Sequence, residues 1–145
     1  PYAVYNMTAD PEDINVDKEM LDRRSPYYAV RNEHSELLGF FSFGTSAQPW
    51  SSNEPSIYTD NKTVTIGLGM RPDLTGKGSG LAFVNAGLNF AQQQFQPNAF
   101  RLYVLTFNER AIRVYEKARF RRVRAMEIEN SYGKRKFVEM EREAS

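Results

Sequence analysis

The spacing of apolar and polar residues predicts a chain in which strands and helices alternate. Between Gly80 and Pro97, apolar side chains recur every three or four residues, which is typical of an amphipathic helix that ends near Gln96. Residues 64–70 alternate bulky apolar side chains with threonine and glycine, which predicts a strand with one bulky face and one nearly bare face. Asn108 is a good N-cap for a second, shorter helix, because its side chain can accept a hydrogen bond from the first helical turn.

The other elements are short and are separated by turn residues. A helix is predicted over residues 10–24, where Asp10 can cap the start and Pro11 suits the first turn. Residues 45–61 contain two prolines and four serines and are predicted to be a long loop. Strands are predicted at 27–31 and 37–43, at 100–107, and in a final hairpin at 120–128 and 134–142. This order of elements indicates an α/β fold (α+β mixed) with a mixed sheet.

Length and composition narrow the class of protein. A chain of 145 residues has the size of one domain, so we expect residues 1–145 to form a single domain. With no cysteine and a single histidine, His34, we expect neither disulfides nor a metal site. No apolar run approaches the roughly 20 residues of a membrane-spanning helix and no signal peptide is visible, so we expect a cytoplasmic protein without membrane contact. Because the chain begins at Pro1, we expect its N-terminus to be processed or truncated.

The net charge of +1 conceals a gradient along the chain. Residues 1–60 carry four basic and ten acidic side chains, whereas residues 99–145 carry twelve basic and seven acidic ones. A polyanionic ligand would therefore be attracted to the second half and a cationic one to the first. We do not expect nucleic acid as a partner, because alternate residues of a strand face opposite ways and Arg121 and Arg122 would not share a face.

The most informative segment runs from Gly67 to Gly80 and reads GLGMRPDLTGKGSG. It joins a strand to a helix through a glycine-rich loop, where unpaired amides and the helix dipole favour an anion, and Lys77 adds a positive charge. It is not a P-loop, because Gly78 stands where Ser or Thr is required, and its glycine spacing is not that of the dinucleotide fingerprint. These residues predict a phosphate site of another type.

Two blocks of the sequence resemble the signatures of the GNAT superfamily of acetyl-CoA-dependent N-acetyltransferases. Thr75, Gly78 and Gly80 occupy the three positions of its Q/R-x-x-G-x-G/A pyrophosphate loop. The second signature is an Asn that opens a helix with a Tyr seven residues later and a Phe at its end, and it is matched by Asn108, Ala111, Tyr115, Glu116, Lys117 and Phe120. The order of elements agrees with the superfamily from residue 10 to residue 142.

Two residues depart from these signatures. Thr75 stands where Gln or Arg is usual, which removes a long side chain but leaves the loop amides in place. Arg119 stands where the family usually has glycine after the second helix. That position commonly needs the left-handed backbone conformation, which costs a residue other than glycine roughly 1 kcal/mol.

The resemblance implies a mostly antiparallel mixed sheet of about six to seven strands, flanked by helices and opened into a V between strands 63–70 and 100–107. It implies that the pantetheine arm of acetyl-CoA pairs with the first of these strands, where Gly67 and Gly69 leave room. A backbone amide near Leu68–Met70 would stabilise the oxyanion, and Tyr115 would protonate the leaving thiolate. The implied cofactor-binding residues are Leu68, Gly69, Met70, Thr75, Gly76, Lys77, Gly78, Ser79, Gly80 and Asn108.

The resemblance further implies transfer of an acetyl group to a primary amine of a protein N-terminus, a lysine or a small molecule. The general base stays open among His34, Glu54, Asp60 and a chain of water molecules. The alternative is a domain that binds or senses acyl-CoA without turnover. A homodimer is compatible with exposed sheet edges, although no residue specifies one.

Overall fold

A computed structural model describes residues 3–6, 27–50, 56–59, 62–71, 79–130 and 133–144. Their elements are the strands and helices β1 (Ala3–Asn6), β2 (Tyr27–Arg31), β3 (Leu37–Phe43), β4 (Tyr58–Thr59), β5 (Thr63–Met70), α1 (Gly80–Phe95), β6 (Ala99–Leu105), α2 (Glu109–Lys117), β7 (Arg121–Asn130) and β8 (Gly133–Glu143). A short 3-10 helix, Gly44–Ala47, follows β3. The predicted helix over residues 10–24 lies outside the described residues.

The strands form one mixed sheet in the order β1-β2-β3-β5-β6-β8-β7, and the short β4 pairs with the beginning of β5. Every pairing is antiparallel except that between β5 and β6. The predicted fold class is therefore confirmed, with two more short strands, β1 and β4, than the sequence patterns indicated. β4 lies within residues 45–61, which were predicted to be a loop only.

The sheet opens between its two parallel strands. Only three residue pairs join them, Thr63 with Ala99, Val64 with Phe100 and Thr65 with Arg101. Beyond these pairs β5 continues along β3, while β6 continues along β8. The predicted V-shaped gap between these strands is confirmed.

The core lies between the sheet and helix α1. Apolar side chains of the helix recur at helical spacing and are buried against strands β3, β5 and β6. A Cβ at Gly87 would lie 2.8 Å from the Phe41 ring, so this glycine lets the helix approach the sheet closely. The buried residues that carry this contact are Phe41, Phe43, Val64, Ile66, Phe83, Val84, Leu88, Ala91, Phe100 and Leu102.

Two boundaries test the sequence patterns. The β2–β3 hairpin has the predicted bounds, and Asn32 holds its turn by accepting hydrogen bonds from the amides of His34 at 2.9 Å and Glu36 at 3.0 Å. The strand predicted to reach Phe107 ends at Leu105, because the chain turns there and the Asn108 amide donates back to Leu105 at 2.9 Å. Within the described part of the chain, no helix has the length and apolar character needed to cross a membrane.

Candidate active site

A cavity of about 670 Å³ lies between the second half of β5, the first turns of α1 and one face of α2. Such a volume is typical of sites for small molecules and cofactors. It brings together five of the predicted site residues, from three separate elements. The described residues that line it are Leu68, Met70, Gly80, Leu81, Phe83, Val84, Asn108, Arg110, Ala111, Arg113, Val114, Tyr115 and Lys117.

The ladder between β3 and β5 leaves the backbone of Leu68 and Met70 facing away from β3. Arg71 donates its amide to the Leu38 carbonyl at 2.7 Å, which extends the β3–β5 register one residue past the strand. Bonded and non-bonded pairs alternate along an antiparallel ladder, so every second residue before Arg71 bonds to β3. Leu68 and Met70 fall between those residues, and their N–H and C=O groups therefore point into the gap on the β6 side.

The nearly bare face of β5 is covered by the chain itself. A Cβ at Gly69 would overlap the Phe40 ring, and one at Gly67 would overlap the Ser42 hydroxyl and lie 3.2 Å from the Ala47 side chain. These glycines were predicted to leave room for a ligand. The close approach here is instead that of neighbouring side chains, and the cavity lies on the opposite face of the strand, with Leu68.

The beginning of α1 lies at the cavity. Ser79 makes no side-chain cap hydrogen bond, and the first turn of the helix contains no acidic residue. Gly80 lines the cavity, and a Cβ there would lie 3.4 Å from Val114, so α1 and α2 pack closely at this point. A helix start of this kind suits an anionic group. The other predicted loop residues, Thr75, Gly76, Lys77 and Gly78, lie outside the described residues.

The beginning of α2 is capped by its own side chains. The side-chain oxygen Oδ1 of Asn108 accepts a hydrogen bond from the Ala111 amide at 3.3 Å, and Glu109 provides an acid in the first turn. Asn108 is thus the predicted N-cap, and this bond uses its oxygen only. Its side-chain amide nitrogen keeps its hydrogen-bonding capacity for a ligand in the cavity.

Tyr115 lies on the face of α2 that lines the cavity. Burial raises the pKa of its hydroxyl from 10.0 to about 12, because removal from water disfavours the phenolate. Its ring packs edge-on against Phe120, with ring centres 6.2 Å apart. At neutral pH the Tyr115 hydroxyl therefore carries its proton and can act as a donor.

The turn that ends α2 holds Tyr115 and Phe120 together. The Phe120 amide donates to the Tyr115 carbonyl and the Arg119 amide donates to the Glu116 carbonyl, both at 3.0 Å, which is the pattern of a Schellman motif. Arg119 occupies the left-handed position of this motif with φ of 73°. The left-handed conformation is the one predicted for this position, and the helix end forms in spite of its cost.

The candidate bases are not brought to the cavity. His34 lies in the β2–β3 turn, exposed to solvent and 3.6 Å from Glu33, and it does not line the cavity. Glu54 and Asp60 lie outside the described residues. Among the described residues, no group of three His, Cys, Asp or Glu side chains could hold a metal ion.

A cluster of ionic side chains that the sequence analysis missed lies on β6, β7 and β8. Glu139 is buried, and its Oε1 accepts hydrogen bonds from the Tyr103 hydroxyl at 3.1 Å and Arg124 at 3.3 Å. Arg101 donates to Glu141 at 2.8 Å. We call these five residues the ion cluster. It depends on the register of three strands, which the sequence alone does not give.

Three cations on α2 were also not predicted as site residues, although Lys117 belongs to the second signature. Arg110, Arg113 and Lys117 line the cavity beside the predicted site residues. Their positions relative to Asn108 were available from the sequence, because residues three and four apart share a helical face. Without the cavity, however, exposed cations on a short helix indicate only a solvated surface.

A model of the acetyltransferase (GNAT) domain matches residues 4–121 of the chain, which is most of its length. The chain belongs to the GNAT acetyltransferase family. The family catalyses acyl transfer, so this GNAT domain is an acyltransferase that transfers acetyl groups to nitrogen. A search among curated proteins found no match.

Solved N-acetyltransferase structures share the fold of this GNAT domain at low sequence identity. Mutant forms of the spermidine/spermine N-acetyltransferase SpeG from Vibrio cholerae have a TM-score of 0.75 and 12% identity, covering 99% of this chain and 95% of that one. The spermidine N-acetyltransferase of Vibrio cholerae in complex with CoA and spermine gives 0.68 at 16%, with 88% and 70% covered. A candidate phosphinothricin N-acetyltransferase gives 0.65 at 19%, with 86% and 74% covered.

Proposed function

We propose that this GNAT domain transfers the acetyl group of acetyl-CoA to a primary amine by direct attack, with Tyr115 as general acid. The cavity carries the proposal, because it joins the open edge of β5, the beginning of α1 and Tyr115 in one site. When bound, acetyl-CoA supplies an activated acetyl thioester. The residues present suit it, since they offer backbone groups for an extended arm, a helix start for phosphate and a protonated hydroxyl.

Backbone groups of β5 are proposed to bind the thioester end of acetyl-CoA and to polarise its carbonyl group. The N–H and C=O groups of Leu68 and Met70 point into the gap, where an extended amide-containing arm can pair with them as an added strand does. One of these amides donates to the carbonyl oxygen on which negative charge develops. A fixed backbone donor of this kind stabilises developing charge without reorganising.

The beginning of α1 holds the pyrophosphate. The amide of Gly80 and the partial positive charge of the helix start favour an anion there, and Ser79 joins the proposed set on the basis of the family signature. Asn108 adds a hydrogen bond to the arm. The loop residues Thr75, Gly76, Lys77 and Gly78, together with Gly69, complete the proposed cofactor-binding set on the basis of the family signature.

Tyr115 moves one proton in this reaction. As the C–S bond breaks and the new C–N bond forms, its hydroxyl oxygen gives its proton to the leaving sulfur. The phenolate then regains a proton, and the nitrogen that has formed the amide releases one to solvent, so the proton balance closes. The high pKa of Tyr115 keeps it protonated before this step.

The acceptor is a primary amine of a small molecule or a protein. A complex with spermine among the structural neighbours makes polyamines the first acceptors to test, and a neighbour named for phosphinothricin makes that compound the next. Peptides with a free N-terminus or a lysine represent the protein acceptors.

Two assays test the proposal in sequence. A thermal-shift titration with acetyl-CoA, with NAD and ATP as controls, is expected to raise Tm by several degrees for acetyl-CoA alone, since saturation at 100 times Kd adds about 2.7 kcal/mol. Release of free CoA thiol is then followed with each acceptor. No shift would refute the cofactor site. A shift without turnover for every acceptor would favour a domain that only binds acyl-CoA.

A further inference from the structure

We propose that Arg110, Arg113 and Lys117 of α2 recognise the 3′-phosphate of the cofactor, so that the domain prefers CoA to dephospho-CoA. This inference rests on the proposed function and deepens it. Arg110 and Arg113 lie outside the two GNAT signatures found in the sequence, whereas Lys117 is one of the residues that match the second signature.

The three cations form one edge of the cavity. All of them line it, although each is exposed to solvent over much of its side chain. With 3.6 residues per turn, their positions fall within about 60° of one another around the helix axis. Long side chains on one helical face can place their charged ends together on a single group while their stems cover apolar surface.

None of the three cations forms an ion pair within 4.0 Å with an acidic side chain that the structure describes, and this includes Glu109, which lies four residues before Arg113 on the same helix. Glu116, an acid of the same helix, lies 3.6 Å from Arg122 on β7. A phosphate monoester carries close to two negative charges at neutral pH, and arginine and lysine bind it through charge-assisted hydrogen bonds.

The positions of Tyr115 and the three cations around the α2 axis indicate that the 3′-phosphate and the pyrophosphate bind at different places. Tyr115 lies about 140° from Arg110 around the α2 axis, so the cations and the proton donor occupy opposite edges of the helix surface that lines the cavity. The start of α1 already offers a site for the pyrophosphate, and Gly80 there packs against Val114, which lies between these edges around the α2 axis. A ligand with its reactive end at Tyr115 therefore extends its remaining anionic group toward the cations.

Titration calorimetry with CoA and with dephospho-CoA isolates the contribution of the 3′-phosphate. We expect the unmodified protein to bind CoA at least about tenfold more tightly, as for a hydrogen-bonded charge pair. The double variant R113Q/K117Q is expected to bind both ligands with equal affinity, and dephospho-CoA within about twofold of the unmodified protein. The matched control R135Q, an exposed cation on β8 away from the cavity, is expected to keep the preference for CoA.

Each other result overturns the inference in a distinct way. Equal affinity of the unmodified protein for both ligands means that the 3′-phosphate is not recognised. An equal loss of affinity for CoA and for dephospho-CoA in the double variant means that the cations contact the pyrophosphate instead. Unchanged CoA affinity with a raised KM for the acceptor means that they bind an anionic acceptor. If neither ligand binds the unmodified protein, the proposed function fails as well. Retained dephospho-CoA binding shows that the double variant is folded.

Discussion

Two tyrosines have similarly raised pKa values, yet they lie in regions of different character. Burial alone raises the pKa of Tyr115 to about 12 in the cavity. In the ion cluster, burial and then the negative charge of Glu139 raise that of Tyr103 to about 12. The Tyr103 hydroxyl already donates a hydrogen bond to Glu139 at 3.1 Å, whereas Tyr115 faces an open cavity. A raised pKa therefore does not identify an acid catalyst unless the proton can reach a ligand.

The largest expected effect comes from removing the hydroxyl of Tyr115, which is compared with removal of the Tyr103 hydroxyl. Y115F is expected to lower kcat by about 100-fold without changing the affinity for CoA, because general acids typically contribute at least this much. Y103F is expected to leave kcat within about twofold and to lower the free energy of unfolding by about 1 kcal/mol through its lost hydrogen bond. Steady-state kinetics and urea unfolding measure the two effects. Equal kcat for Y115F and the unmodified protein would remove Tyr115 from the mechanism.

The next effect tests whether the ion cluster is structural. E139Q is expected to lower the free energy of unfolding by about 2 kcal/mol, because Arg124 and Tyr103 lose a buried charged acceptor. The matched control is E127Q, which removes an exposed carboxylate 4.0 Å from Lys134 and is expected to cost less than about 0.5 kcal/mol. Both variants are expected to bind CoA normally. Weakened CoA binding in E139Q alone would connect the cluster to the cavity.

A smaller effect appears at high pH. Since the folded pKa of Tyr115 is about 12 against a usual 10.0, its contribution to stability is complete below pH 10 and is lost as the pH rises toward 12. At pH 11 the loss amounts to about 1.4 kcal/mol. Unfolding free energies of the unmodified protein and of Y115F, measured at pH 9 and 11, isolate this contribution because Tyr103 is common to both. Identical pH dependence would show that Tyr115 is not shielded from water.

The smallest effect concerns the turn that holds Tyr115. R119G is expected to raise the free energy of unfolding by about 1 kcal/mol and Tm by about 4 °C, because glycine adopts the observed φ of 73° without strain. The substitution also removes a like charge that, after burial, lowers the pKa of Arg142. An unchanged kcat is expected, since the backbone turn is retained. A lower Tm would mean that the Arg119 side chain stabilises the turn in a way that outweighs its conformation.

The sequence predicted elements whose signals are local. The β2–β3 hairpin and the start of α2 agree with their predicted bounds because alternation, Asn32 and Asn108 act over a few neighbouring residues. β4 spans two residues and β1 four, which is too short for a periodic pattern to stand out. Phe107 continued the apolar run of β6, yet it is 79% exposed because the chain turns before it.

The segments that form the candidate site were predictable from the sequence, but the packing around them was not. The glycine-rich segment and the Asn108–Tyr115 spacing located both helix starts on either side of the cavity. Which face of β5 meets the cavity depends on packing by Phe40, which no local pattern gives. The role of the α2 cations depends in the same way on what lies opposite them in the folded chain.

The short parallel pairing of β5 with β6 places an unpaired strand edge in the middle of a sheet. Edges of this kind usually lie at the rim, where a second protein molecule can add to them and begin aggregation. Here the edge at Leu68 and Met70 lies beside α1 and α2, which leave a passage instead of an open flank. An extended ligand arm can align with this edge. The fold can therefore keep a strand edge with unpaired backbone groups available to a ligand without making the protein prone to self-association at that point.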